Sequence, residues 1–156
     1  MGEILTLEDA VRRRAAARAL AQTFVFTNGC FDILHPGHVE LLRRAGELGH
    51  YLLVGINSDR SVRSLDKGAG RPAQDEGARA AVLSALSAVD GVVIFDEEDP
   101  LRMIELLRPD VLVQGGDYAP EQVVGRDAVE RAGGRVVIVP LVPGHSSSKI
   151  LARKRS

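Results

Sequence analysis

Between residues 23 and 140, short runs of Val, Ile and Leu alternate with longer segments of helical spacing, and no other feature restricts the fold as much. The apolar runs fall at 23–27, 51–56, 92–95, 111–114 and 136–140. Helical patterns fill the gaps: 37–48, with Val39, Leu42 and Ala45 on one side and Gly49 as a stop; 77–88; a segment starting at Asp99 with Pro100 at its first position; and 121–132, ended by Gly133 and Gly134. A short helix is expected after Gly144. Strands that are almost continuously apolar must be covered on both faces, and intervening helices supply that cover. The expected fold is therefore α/β, a single doubly wound parallel sheet.

One further helix precedes the alternation, with Thr6 as its N-cap, Asp9 three residues on, and an end near Leu20. Its Arg12, Arg13, Arg14 and Arg18 read as a solvated basic face. The expected organisation is one domain over 1–156, an N-terminal helix in 1–22 followed by an α/β core in 23–156. A length of 156 residues is enough for one buried core.

A formal net charge of -1 argues against a nucleic-acid partner held by counterion release. Cys30 is the single cysteine, so no intramolecular disulfide can form and a cytoplasmic compartment is expected. The first 21 residues lack the apolar centre of a signal peptide, and no run is long enough to span a bilayer, so no membrane partner is expected.

In doubly wound sheets, ligands bind beyond the carboxyl ends of the strands, here the loops after Thr27, Ile56, Gln114 and Pro140. The first of these reads Thr27-Asn28-Gly29-Cys30-Phe31-Asp32-Ile33-Leu34 and runs into His35-Pro36-Gly37-His38 at a helix start. Two histidines three apart share one face there, and the helix N-terminus favours an anion. Gly37 allows close approach of a phosphate, and Pro36 sits where a missing N–H costs nothing. Both imidazoles can donate to phosphoryl oxygens as charge grows on them. The local sequence also permits a capping and packing role for both.

Neither a P-loop nor a dinucleotide fingerprint is present. The segment Thr27 to His38 instead resembles the signature of the cytidylyltransferase-like nucleotidyltransferase superfamily, whose HxGH motif binds a triphosphate. Gly144-His145-Ser146-Ser147-Ser148-Lys149-Ile150 reads by itself as an N-cap, and it resembles that superfamily's late hydroxyl-rich segment. Lys67-Gly68-Ala69-Gly70-Arg71-Pro72 reads as a basic, glycine-containing loop in which Lys67 can swing over a triphosphate and Arg71 can grip a phosphate. Gln114-Gly115-Gly116-Asp117-Tyr118 fits a tight turn equally well as a sugar-binding loop. Cys30 has the look of a small packed side chain, and Arg79 that of a weak candidate on a solvated helix.

Taken together, TNGCFDILHPGH, GINSD, KGAGRP, AVDGVVIF, LRPDVLVQGGDY and HSSSKIL resemble the ADP-heptose synthase adenylyltransferase family, which acts on D-glycero-β-D-manno-heptose 1-phosphate. The chain departs from the family pattern at Gln114, where lysine is usual, at Ser147 and Ser148, where threonines are usual, and at Pro143 in place of an acidic residue.

The resemblance implies transfer of AMP from ATP to a sugar 1-phosphate with release of pyrophosphate, in ADP-heptose biosynthesis, with a separate sugar kinase upstream. It implies His35, His38 and Lys67 as catalytic. It places Thr27, Asn28, Gly29, Cys30, Phe31, Gly37, His38, Arg71, Gly115, Ser146, Ser147 and Ser148 at the nucleotide, and Asp32, Asn57, Asp117 and Tyr118 at the acceptor. Mg²⁺ is expected to arrive on the nucleotide without protein ligands. A homo-oligomer stays open. Two other readings stay open as well: a cytidylyltransferase acting on glycerol 3-phosphate or a similar alcohol phosphate, and a non-catalytic nucleotide-binding module.

Overall fold

The computed structural model describes residues 2–65 and 70–140. Six parallel strands form one sheet: β1 (Glu3–Leu5), β2 (Phe24–Gly29), β3 (Tyr51–Asn57), β4 (Gly91–Phe95), β5 (Val111–Gly115) and β6 (Arg135–Val139). Their order across the sheet is β1-β4-β3-β2-β5-β6. The helices are α1 (Leu7–Ala19), α2 (Pro36–Gly46), α3 (Asp59–Ser64), α4 (Glu76–Ser84), α5 (Leu101–Leu107) and α6 (Arg126–Arg131). The expected doubly wound α/β sheet is what the chain forms.

The strands alternate between the two faces. Val25 packs with Leu41, Leu42 and Ala45 of α2 and Ala80 and Leu83 of α4. Its neighbours Phe24 and Phe26 point the other way, into a core with Ala10 and Ala17 of α1, Met103, Ile104 and Leu107 of α5, and Val129 of α6. Period-two alternation with apolar residues on both sides is what a sheet covered twice requires.

From β2 the chain winds through β3 to β4 on one side, then returns through β5 and β6 on the other. The reversal lies between β2 and β5, paired in register from Val25↔Val111 to Thr27↔Val113. Strands that diverge in this way leave a crevice beyond their carboxyl ends.

Three differences from the sequence reading have physical causes. Residues 3–5 form an edge strand on β4, with Glu3↔Gly91 and Leu5↔Val93 in register, so the N-terminal segment belongs to the sheet as well as to a helix. The expected helix over 121–132 is split: Pro120–Gln122 forms a single 3₁₀ turn, and Gly125, at φ 89, restarts the chain into α6. Arg14 is buried within the supposedly solvated face of α1, where it donates to the carbonyls of Leu107 and Arg108 and to Asp110 Oδ1. Among the described residues no helix is long and apolar enough to cross a membrane.

Candidate active site

The first turn of α2 is organised by His35. Its backbone is extended, and its Nδ1 accepts from the Gly37 N–H at 3.1 Å, so the ring proton sits on Nε2. The His35 carbonyl accepts from the N–H groups of His38 and Val39 at 3.0 and 3.2 Å. Because Pro36 has no N–H, the backbone donors at the start of this helix are satisfied from within. An anion at this helix start would therefore meet the imidazoles and the macrodipole, not open backbone donors.

The rings of His35 and His38 stack, with centroids 3.8 Å apart and planes 25° from parallel. Phe31 also lies against His38, at 5.1 Å and 59°. Burial first, and then the neighbouring His35, push the His38 pKa down to about 4 against a weaker upward pull from a backbone hydrogen bond with Ile33. His38 Nδ1 is buried with no hydrogen-bond partner among the described residues. An orphaned ring nitrogen beside a helix N-terminus fits a ligand that brings its own polar atoms.

Beyond β2 and β5 lies a pocket of about 160 Å³ lined by Asn28, Pro100, Gln114, Tyr118, Gln122, Val123 and Val124. Its polar groups are carboxamides and a phenol, and none of these side chains carries a charge at neutral pH. Asn28 and Gln114 stand at the ends of adjacent strands across the switch point. Tyr118, half exposed, is reached through Gly116, whose φ of 126 suits glycine and whose Cβ, if present, would lie 2.9 Å from the tyrosine ring. Asp117 is exposed beside it. Pro100, Gln122 and Val123 were not singled out in the sequence, because nothing local marks them as neighbours of β2.

Four of the assigned residues have side-chain groups engaged within the protein. Asp32 is buried with its side chain fully covered, its carboxylate accepting from the N–H groups of Ala73 and Gln74 at 2.9 and 3.0 Å; it anchors a loop and presents no face to an acceptor sugar. Asn57, also buried, donates to Ser61 Oγ at 2.9 Å and accepts from the Cys30 thiol, which makes it a brace at the end of β3. Thr27 Oγ1 donates to the Val113 carbonyl across β2 and β5, so its hydroxyl is structural. The Cys30 thiol and carbonyl are both held by protein groups, Asn57 and Arg79.

Arg71 sits 2.7 Å by its Nε from Asp32 Oδ2, a charge contact whose N–H is not aligned as a hydrogen bond. Gly29 and Gly115 end β2 and β5 and border the same crevice. Lys67, Ser146, Ser147 and Ser148 lie outside the described residues. Arg79, read from the sequence as a weak candidate on a solvated helix, is instead 1% exposed. It donates to the carbonyls of Gln74, Cys30 and Asn57 and to Asp59 Oδ1, at 2.7 to 3.0 Å.

The model of the cytidylyltransferase-like family matches residues 26–153. Bifunctional protein HldE of Bradyrhizobium sp. (strain ORS 278) is 60% identical over 131 residues, 84% of this chain and 26% of that protein. The protein of the same name from Azorhizobium caulinodans is 52% identical over 155 residues, covering 99% of this chain and 32% of its own length. The chain thus spans between a quarter and a third of the length of these curated relatives. Among solved structures, the lipopolysaccharide core biosynthesis protein from Thermoplasma volcanium superposes with a TM-score of 0.64 at 29% identity, over 78% of this chain and 97% of its own. Pantothenate synthetase from Thermus thermophilus shares the fold, with a TM-score of 0.65 at 20% identity over 99% of this chain and 70% of its own.

Proposed function

This chain belongs to the cytidylyltransferase-like family, and we propose that it transfers AMP from ATP to a sugar 1-phosphate, with D-glycero-β-D-manno-heptose 1-phosphate as the acceptor and pyrophosphate as the product. The observation that carries this reading is the stacked pair His35 and His38 at the start of α2, next to the β2/β5 crevice. The whole-chain likeness to the bifunctional relatives supports the choice of acceptor.

In the reaction a phosphate oxygen of the acceptor attacks the α-phosphorus of ATP. A P–O bond forms on one side while the bond to pyrophosphate breaks on the other, and no proton has to move. The protein's part is positioning and charge stabilisation. Before the nucleotide binds, burial keeps His38 neutral at physiological pH, so its ring meets the phosphates as an N–H dipole. His35 keeps its Nδ1 on the Gly37 N–H and turns Nε2 to the other side of the ring. Lys67 and the Ser146–Ser148 segment are assigned to the triphosphate on the strength of the family resemblance. The uncharged pocket of Asn28, Gln114 and Tyr118 suits an uncharged polar part of a substrate, its base or its sugar, and leaves the phosphates to the helix start.

Among the described residues no group of three or more His, Cys, Asp or Glu is placed to hold a metal ion. Mg²⁺ is read as part of the ATP substrate, coordinated by phosphates and water. The cytoplasm is the compartment that supplies ATP, and a sugar kinase must supply the 1-phosphate.

Pyrophosphate release measured across ATP, CTP and other triphosphates, each with heptose 1-phosphate and glycerol 3-phosphate, tests the reading. ATP with the heptose phosphate should give the highest kcat/KM. A preference for CTP with glycerol 3-phosphate would reassign the chain to alcohol-phosphate cytidylyl transfer, and nucleotide binding without any release would make it a binding module.

A further inference from the structure

Phe31 has φ 47, a left-handed backbone conformation that residues other than glycine rarely adopt. Both of its neighbours are pinned. The Cys30 carbonyl accepts from Arg79 Nη1 at 2.8 Å, and the Asp32 carboxylate accepts from the Gln74 N–H at 3.0 Å. Gln74 in turn offers its carbonyl to Arg79 Nε at 3.0 Å. These contacts close a ring that runs from Arg79 to Cys30, Phe31, Asp32, Gln74 and back to Arg79. Inside it the aromatic side chain is held against His38.

The guanidinium suits this task because its fork is rigid and always charged. Nη1 also reaches the Asn57 carbonyl at 2.7 Å, and Nη2 reaches Asp59 Oδ1 at 2.8 Å, so one buried cation ties the carboxyl ends of β2 and β3 to the segment that precedes α4. We propose that Arg79 is a positioning residue of the transfer site: it touches no substrate, but it keeps Phe31 in its left-handed conformation and so sets the His38 ring against His35. The functional side of this inference rests on the transfer reading above; the structural side does not.

The test combines histidine side-chain NMR, thermal melting, and kcat and KM for both substrates. It uses the full chain and the variants Arg79→Lys, Phe31→Leu and the double variant. Arg79→Lys keeps the charge and loses the fork. The His38 ring resonances should move in the direction that Phe31→Leu moves them, because both remove the aromatic ring from its place. The resonances of His50, which caps the Thr23 N–H elsewhere in the molecule, should stay fixed. Turnover should fall about tenfold or more in kcat, with KM for each substrate changed by no more than about twofold. The double variant should lose no more than the worse single one.

Unmoved His38 resonances in folded Arg79→Lys would overturn the proposal, as would losses that multiply in the double variant. If Arg79→Lys does not fold, Asp59→Ala removes the side-chain partner of Nη2, and it should shift His38 the same way by a smaller amount; no shift there also overturns it. A wild-type chain without adenylyl transfer would defeat the transfer reading alone, since the NMR comparison still decides whether Arg79 positions His38.

Discussion

The imidazoles of His35 and His38 stack at 3.8 Å, and only one of the two serves as the N-cap of α2. His35 holds the Gly37 N–H while His38 makes no cap, so the same substitution at the two positions should have different consequences. His38→Ala should leave the fold intact and raise the barrier to transfer by roughly two to four kcal/mol, the loss of one preorganised donor. His35→Ala should lower turnover and also cost about 1 kcal/mol of stability through the lost cap. Urea melts paired with pyrophosphate assays separate the two. Near-normal turnover in folded His38→Ala would remove the site from this part of the molecule.

The pH dependence follows from the burial of His38. Its pKa falls from 6.5 to about 4 on folding, so between these values the unfolded chain takes up a proton that the folded chain refuses. This group's contribution to stability is fully present above about pH 6.5, declines as pH falls, and stops changing below about 4. Turnover should be flat with respect to His38 from neutral pH down toward about 5. An NMR titration of the His38 ring checks both points, and a midpoint near 6.5 would contradict them.

Arg14 offers a prediction about stability alone. Its guanidinium is buried against two carbonyls and one oxygen of Asp110, whose other oxygen accepts from the Phe24 N–H. Arg14→Ala leaves those acceptors short of a donor and should cost about 2 to 4 kcal/mol. Arg12→Ala, which breaks only an exposed ion pair with Asp9, should cost far less. Denaturant titrations compare them, and equal effects would mean that Arg14 does not anchor α1 to the end of α5.

Gly116 tests the uncharged pocket. A methyl group there meets the Tyr118 ring, and the φ of 126 is strained for alanine. Gly116→Ala should therefore cost about 1 to 3 kcal/mol of stability, and it should raise KM for whichever substrate enters beside Asn28 and Gln114. Unchanged KM values for both substrates would show that the pocket stays empty during turnover.

Whatever depends on residues a few places apart could be read directly along the chain. The Val-rich strands, the Thr6 cap that accepts from the Asp9 N–H, and the His35-Pro36-Gly37-His38 turn are local patterns, and they carry both the doubly wound sheet and the histidine pair. Where isolated polar residues go was settled by packing. Arg14 and Arg79 both look like solvated helix residues, because helical spacing records the partners three and four places away and not the ones across the sheet. Arg14 meets Leu107, 93 residues further on, and Arg79 meets Cys30, 49 residues back. Asp32 and Asn57 were legible as polar residues at strand ends, but which groups would reach them first was not. A buried polar atom takes the nearest partner that the fold delivers, and for these residues the fold delivered backbone amides and side chains from other loops before any substrate. The three-residue strand Glu3–Leu5 escaped notice for the same reason: its only signal is β4, whose edge exists once the rest of the sheet has formed.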